Sequence, residues 1–187
     1  MAVKTIITSD NPLLREKSKK VTRFTPAVRQ LVDDMFDTLD DAEGVGLAAP
    51  QIGVLQRIFI VGIPADYDDD GNEISPQQDY VLINPEIIRA LGDEEMVEGC
   101  LSVPGYRGLV KRATAVVIKG QDEYGHNVRY SGEGLLAQAF QHELDHLDGV
   151  LYLDRLESRE KIWPISEEEM EPVGDEGESD DAGDQVR

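Results

Sequence analysis

Cysteine, tryptophan and histidine are all scarce in this 187-residue chain, at one, one and three copies. With Cys100 alone, no intrachain disulfide can form, which excludes a disulfide-stapled scaffold. No apolar run approaches the ~18 residues that a membrane span needs. The opening Met1-Ala-Val-Lys-Thr lacks the apolar core of a signal peptide, so the expectation is a soluble, cytoplasmic protein with no membrane partner. Basic residues are few as well, 18 Lys and Arg against 38 Asp and Glu, for a formal net charge of −20. Such a chain repels phosphate backbones, and no DNA binding is expected.

The acids are unevenly spread. Ser166 to Arg187 hold ten Asp and Glu, one Arg and four apolar residues, leaving 28 acids against 17 bases in residues 1–165. A segment so poor in apolar groups cannot offset its chain entropy, so 166–187 is expected to be a disordered tail behind a folded domain of 1–165. A second acidic stretch, Ala65 to Pro76, reads as a solvated loop. It lacks the alternating ligand spacing and closing Glu of a calcium loop.

Thr25-Pro26 reads as a helix start, a hydroxyl cap followed by proline at the first helical position. Val28, Leu31, Val32, Met35, Leu39 and Ala42 then recur at helical spacing up to Gly44. Residues 57–63, 80–88, 113–119 and 127–131 are β-rich, the last two flanking a turn at Asp122–Gly125. Leu135 to Leu147 is free of Pro and Gly and closes on Asp148-Gly149, which predicts a second helix. Several strands between two helices indicate an α+β domain.

Two of the three histidines fall in Gln141-His142-Glu143-Leu144-Asp145-His146. Histidines four apart on a helix project from one face and can share a metal ion, while the Glu after the first can reach a water there as general base. A surface helix with two exposed histidines is the plain alternative. A catalytic site usually takes a third protein ligand. His126 lies in the turn and reads as solvated. Cys100, in Glu98-Gly-Cys-Leu-Ser-Val-Pro104, has Gly99 to admit close backbone approach and Pro104 to stop the segment continuing as a strand. A third segment, Gly44-Val-Gly-Leu-Ala-Ala-Pro-Gln51, is no phosphate loop, because no Gly-Lys-Ser/Thr follows, and by itself reads as an ordinary loop.

Taken together, residues 44–51, 98–102 and 141–146 closely resemble, in order and spacing, the three signature motifs of bacterial peptide deformylases, a resemblance that runs from about Val3 to Leu156. It implies an α+β fold with antiparallel β-sheets surrounding a central metal-binding helix. It further implies that Cys100, His142 and His146 ligate the metal, that Glu143 is the acid-base carboxylate, and that the Gln51 amide and Leu101 N–H stabilise an oxyanion. Val45 and Gly46 would lie beside the formyl-methionyl group, Arg107 near the far end of the peptide. Gln138, where many members carry Arg, and Ala139 would line or support the methionine pocket. The implied reaction is hydrolysis of the N-formyl group of newly made polypeptides, yielding formate. One divalent ion is implied, iron(II) physiologically, with zinc, nickel or cobalt as substitutes. Some members dock on the ribosome through a basic C-terminal helix, a mode that the acidic run from Glu167 makes doubtful here. The rival enzyme is a zinc endopeptidase with Glu167 as third ligand, and the non-enzyme rival is a metal-binding or interaction protein.

Overall fold

The computed structural model describes residues 2–166. The expected disorder of the acidic tail, and Glu167 with it, therefore lies outside the described residues, save for Ser166.

The first helix, α1 (Pro26–Asp41), buries Val28, Val32, Met35 and Leu39 on the face that the periodicity marks. Thr25 occupies the N-cap, but its hydroxyl makes no capping bond, so the helix starts on the fixed φ of Pro26 rather than on a side-chain cap. The segment expected as a loop before the first β-rich run instead holds a short strand, β1 (Gly46–Ala48), and a 3-10 turn over Ala49–Ile52. β1 pairs antiparallel with β2 (Ile58–Ile63).

The acidic stretch is exposed, as expected, yet forms a small hairpin of β3 (Asp66–Tyr67) and β4 (Glu73–Ser75) instead of a loop. The Asp68 carboxylate closes its turn by accepting from the Asp70 and Asn72 backbone N–H groups. β5 (Gln78–Leu91) pairs with β2 through its first half and with β8 (Ala115–Gln121) through its second. Between the halves, Asn84 has φ of +53° and its amide bonds both backbone groups of Val21. β9 (Asn127–Glu133) completes an antiparallel five-stranded sheet in the order β1-β2-β5-β8-β9.

The hairpin of β6 (Glu94–Cys100) and β7 (Val103–Arg112) was missed by the strand reading, because its alternation is broken by charges that are buried. β10 (Ile162–Pro164) adds to its other side, giving the order β10-β7-β6. Pro104 does not stop the strand. The pairing jumps from Gly99↔Arg107 to Cys100↔Val103, so Pro104 lies in a bulge, one of the few strand settings that tolerate a missing N–H.

The second helix, α2 (Gly134–Leu147), lies between the two sheets. Ala137, Phe140, Leu144 and Leu147 pack it on the five-stranded sheet, with Phe140 against Phe59 and edge-on to Tyr80. Gln141 fixes it along its axis by bonding both backbone groups of Ala113. Its other side faces the three-stranded sheet, whose backbone makes little close approach to the helix. Side chains bridge that gap. Beyond Asp148, Gly149 (φ +74°) passes the Arg15 carbonyl so closely that no Cβ would fit.

Candidate metal centre

His142 and His146, one turn apart on α2, bring their rings to 5.0 Å between centroids. The end of β6 sets Cys100 against them, with Sγ 3.2 Å from His146 Nε2. The ligand atoms of Cys100, His142 and His146 all lie within 4.8 Å of one another. A tetrahedral ion with bonds of ~2.0–2.3 Å holds such donors ~3.3–3.6 Å apart, so the trio fits one divalent cation with little movement.

Behind the trio is a buried ionic network. The Glu98 carboxylate takes His142 Nδ1 at 2.8 Å, which turns Nε2 of that ring toward the other ligands. The same carboxylate accepts two bonds from Arg112, at 2.6 and 3.0 Å. Arg112 reaches on to Asp145 at 2.7 Å, and Asp145 is gripped from outside by Arg155 at 2.6 and 2.5 Å. Burial alone would raise the Glu98 pKa, but the bonds from His142 and Arg112 hold it down at about 2. A carboxylate on the distal nitrogen is how ligand imidazoles are oriented in metal sites. None of these partners was assigned from sequence. One signal was available: Glu98 is two residues before Cys100 on a strand, so both face the same side.

Burial disfavours the charged form of His146, and the His142 charge pushes its pKa further down, leaving a neutral imidazole suited to ligation. Burial pushes the Glu143 carboxyl up to about 7, against the opposing pull of His142. Glu143 Oε2 is buried with no hydrogen-bond partner among the described residues, a costly state unless a polar group occupies the space beside it. Gly46 in β1 presses its backbone against this carboxylate, and a side chain at position 46 would collide with it.

Gln51 lies in the 3-10 turn that follows β1. Its Oε1 accepts the Ala48 N–H at 2.8 Å, which leaves Nε2 to donate toward Ser102 Oγ at 3.2 Å and Cys100 Sγ at 3.7 Å. The N-terminal segment ties the two elements together, Ile7 N–H donating to the Gln51 carbonyl and Ser9 N–H to that of Ser102.

A cleft of about 680 Å³ opens over this assembly. Glu143, Gln51, Leu101, Cys100 and His142 all line it, as do Val45, Gly46, Arg107, Gln138 and Ala139. His146, 1% exposed, completes the ligand trio from behind the lining. Gln138 Nε2 donates to the Val97 carbonyl at 2.7 Å, pinning β6 to α2. His126 stays in its exposed turn beside Asp122, remote from the cleft lining.

A family model for polypeptide deformylase matches residues 3–162. The chain belongs to that family. It is 50% identical over 171 residues to a peptide deformylase of Thermomicrobium roseum, covering 91% of this chain and 96% of the relative. To that of Heliobacterium modesticaldum it is 49% identical over 158 residues, covering 84% and 97%. The crystal structure of a peptide deformylase from Legionella pneumophila superposes with a TM-score of 0.75 at 42% identity, covering 86% of this chain and 89% of that one. The α+β fold with antiparallel sheets is therefore that of the deformylases, and the chain is a metal-dependent hydrolase that removes the N-formyl group from nascent peptides. The endopeptidase reading falls, since it leaves residues 44–51 and Cys100 without a role.

Proposed function

We propose that Cys100, His142 and His146 hold one divalent ion, iron(II) in the cell, and that Glu143, Gln51 and Leu101 carry out the chemistry on formyl-methionine. The observation that supports this most is the convergence in one cleft of the three-ligand trio, an unpartnered Glu143 oxygen and the Gln51 amide. A divalent ion there supplies Lewis acidity, lowering the pKa of water to near neutrality. Glu143 takes the proton of the attacking water and returns it to the departing methionine amine. Charge then gathers on the former formyl oxygen, where Gln51 Nε2 and the Leu101 N–H donate; the loss of one such donor typically costs ~10²–10³ in rate. Val45 and Gly46 flank the formyl-methionyl backbone, Ala139 and Gln138 border the methionine side chain, and Arg107 meets the outgoing peptide. Formate release from formyl-Met-Ala-Ser, with the internal bonds left intact, is the direct test. No formate would sink the assignment.

Within the same reading, residues 1–165 form the catalytic domain and 166–187 an acidic appendage. The enzyme works in the cytoplasm, where formylated chains emerge. Cys100→Ser is expected to bind its metal at least ~10-fold more weakly and to be inactive as isolated; full activity with one ion bound would remove Cys100 from the ligand set. Iron also implies oxygen sensitivity. Enzyme prepared anaerobically with iron(II) is expected to lose activity in air much faster than the zinc form, with added oxygen mapping to Cys100 by mass spectrometry. Equal lifetimes with Cys100 unmodified would count against a solvent-accessible, thiolate-ligated iron.

A further inference from the structure

The two oxyanion donors come from separate parts of the chain. The Gln51 amide stands on the turn after β1, and the Leu101 N–H on the connection between β6 and β7. Donors stabilise a developing oxyanion only when they are aimed at it beforehand, and a glutamine side chain is flexible. Gln51 Oε1 accepts the Ala48 N–H at 2.8 Å, a bond the flipped amide would lose, since a backbone N–H cannot accept. That fixes which end of the amide is nitrogen. It does not fix where the two hydrogens of Nε2 point.

Ser102 settles their direction. Its Oγ takes one Nε2 hydrogen at 3.2 Å, and the two N–H bonds of a planar amide diverge, so the second hydrogen is sent elsewhere. The other contact of Nε2 is Cys100 Sγ at a long 3.7 Å, which leaves that hydrogen to an oxygen arriving in the cleft. Ser102 itself is 0% exposed; Leu101 and Val103 on either side line the cleft, and Ser102 does not. It therefore acts only through Gln51. The backbones of the two segments are held without its hydroxyl, by the 2.8 Å bonds from Ile7 N–H to the Gln51 carbonyl and from Ser9 N–H to the Ser102 carbonyl.

On the footing of the function proposed above, we propose that Ser102 is a positioning residue for the oxyanion site. Its hydroxyl takes one Gln51 amide proton so that the other, together with the Leu101 N–H, meets the charge developing on the formyl oxygen. Without that hydroxyl the backbones keep their register, but a buried N–H loses its acceptor, a costly state that a turn of the amide relieves. The Cys100 sulfur is then the acceptor within reach, and an N–H turned toward it is lost to the oxyanion.

The experiment is a double-mutant cycle on the full chain loaded with zinc, read as kcat and KM for formyl-Met-Ala-Ser, with metal content and denaturant unfolding as controls. Gln51→Ala is expected to lower kcat ~10²–10³-fold. Ser102→Ala is expected to lower kcat at least about fivefold with KM held within about twofold, because the donor it aims is engaged mainly in the transition state. In the Gln51→Ala background, Ser102→Ala is expected to change kcat by less than about twofold, since no amide remains to aim. Side-chain amide NMR of the zinc form gives a readout apart from turnover. The Gln51 pair of signals, assigned by its loss in Gln51→Ala, is expected to shift in Ser102→Ala. The pair from Gln138, bonded to the Val97 carbonyl in the same cleft, is expected to stay. A smaller loss of kcat from Ser102→Ala overturns the proposal. So does an equal loss in both backgrounds, or joint movement of the Gln51 and Gln138 signals, either of which makes Ser102 a support of the whole hairpin. Absence of formate with the parent chain overturns the function proposed above instead, and the Gln51 signals still test what Ser102 holds.

Discussion

Glu143→Ala is expected to retain one divalent ion per chain and to release formate about 10³-fold more slowly, the middle of the range for loss of a positioned acid-base group. The expectation follows from where Glu143 stands. It is buried on α2 between the two histidines, lines the cleft, and has an oxygen that no described residue satisfies. It is not one of the clustered ligand atoms, so its removal leaves the trio intact. Its raised pKa, driven by burial, belongs to the ion-free site; a divalent cation beside it favours the carboxylate, the form that accepts the proton of water. Metal analysis together with single-turnover formate release checks both halves. An ion-free variant, or an active one, would reassign the residue.

The second large effect is expected at Glu98→Ala. Arg112 is 3% exposed at its side chain and would lose two charge-assisted bonds, while His142 Nδ1 would lose its acceptor. Breaking a buried pair from one side typically costs about 3–5 kcal/mol, because the remaining charge stays buried without compensation. Removing the group that orients a ligand imidazole typically weakens metal binding ~10–100-fold. Denaturant unfolding and chelator competition read the two losses separately. Unchanged stability would show that Asp145 alone neutralises Arg112, and unchanged affinity that His142 needs no second anchor.

Glu98 also marks where the sequence was hard to read. The 141–146 motif was legible because helical spacing alone puts two imidazoles on one face, and the core of α1 because its apolar residues keep the helical period. The β6–β7 hairpin was not, since its buried positions include Glu98 and Arg112, two charges that a hydrophobicity pattern places outside. Their burial is tolerable only because each finds the other, which is a fact of tertiary structure rather than of local pattern. The 44–51 segment was opaque for a related reason. Its strand is three residues long, too short to show alternation, and its meaning lies in Gly46 meeting Glu143 across nearly a hundred residues of chain.

The gap between α2 and the three-stranded sheet has a consequence for how the molecule opens. Little backbone contact crosses it, and the bridges are Cys100 to His146, Glu98 to His142, Arg112 to Asp145 and Gln138 to Val97. An ion on Cys100 and the two histidines would clasp two separately hydrogen-bonded layers, so part of its binding free energy is docking free energy for the 94–112 hairpin. Chelation is then expected to accelerate amide hydrogen exchange across that hairpin by at least about tenfold while the five-stranded sheet exchanges as before, a sub-global opening rather than an unfolding. Uniform acceleration over both sheets would show instead that the layers open as one cooperative unit.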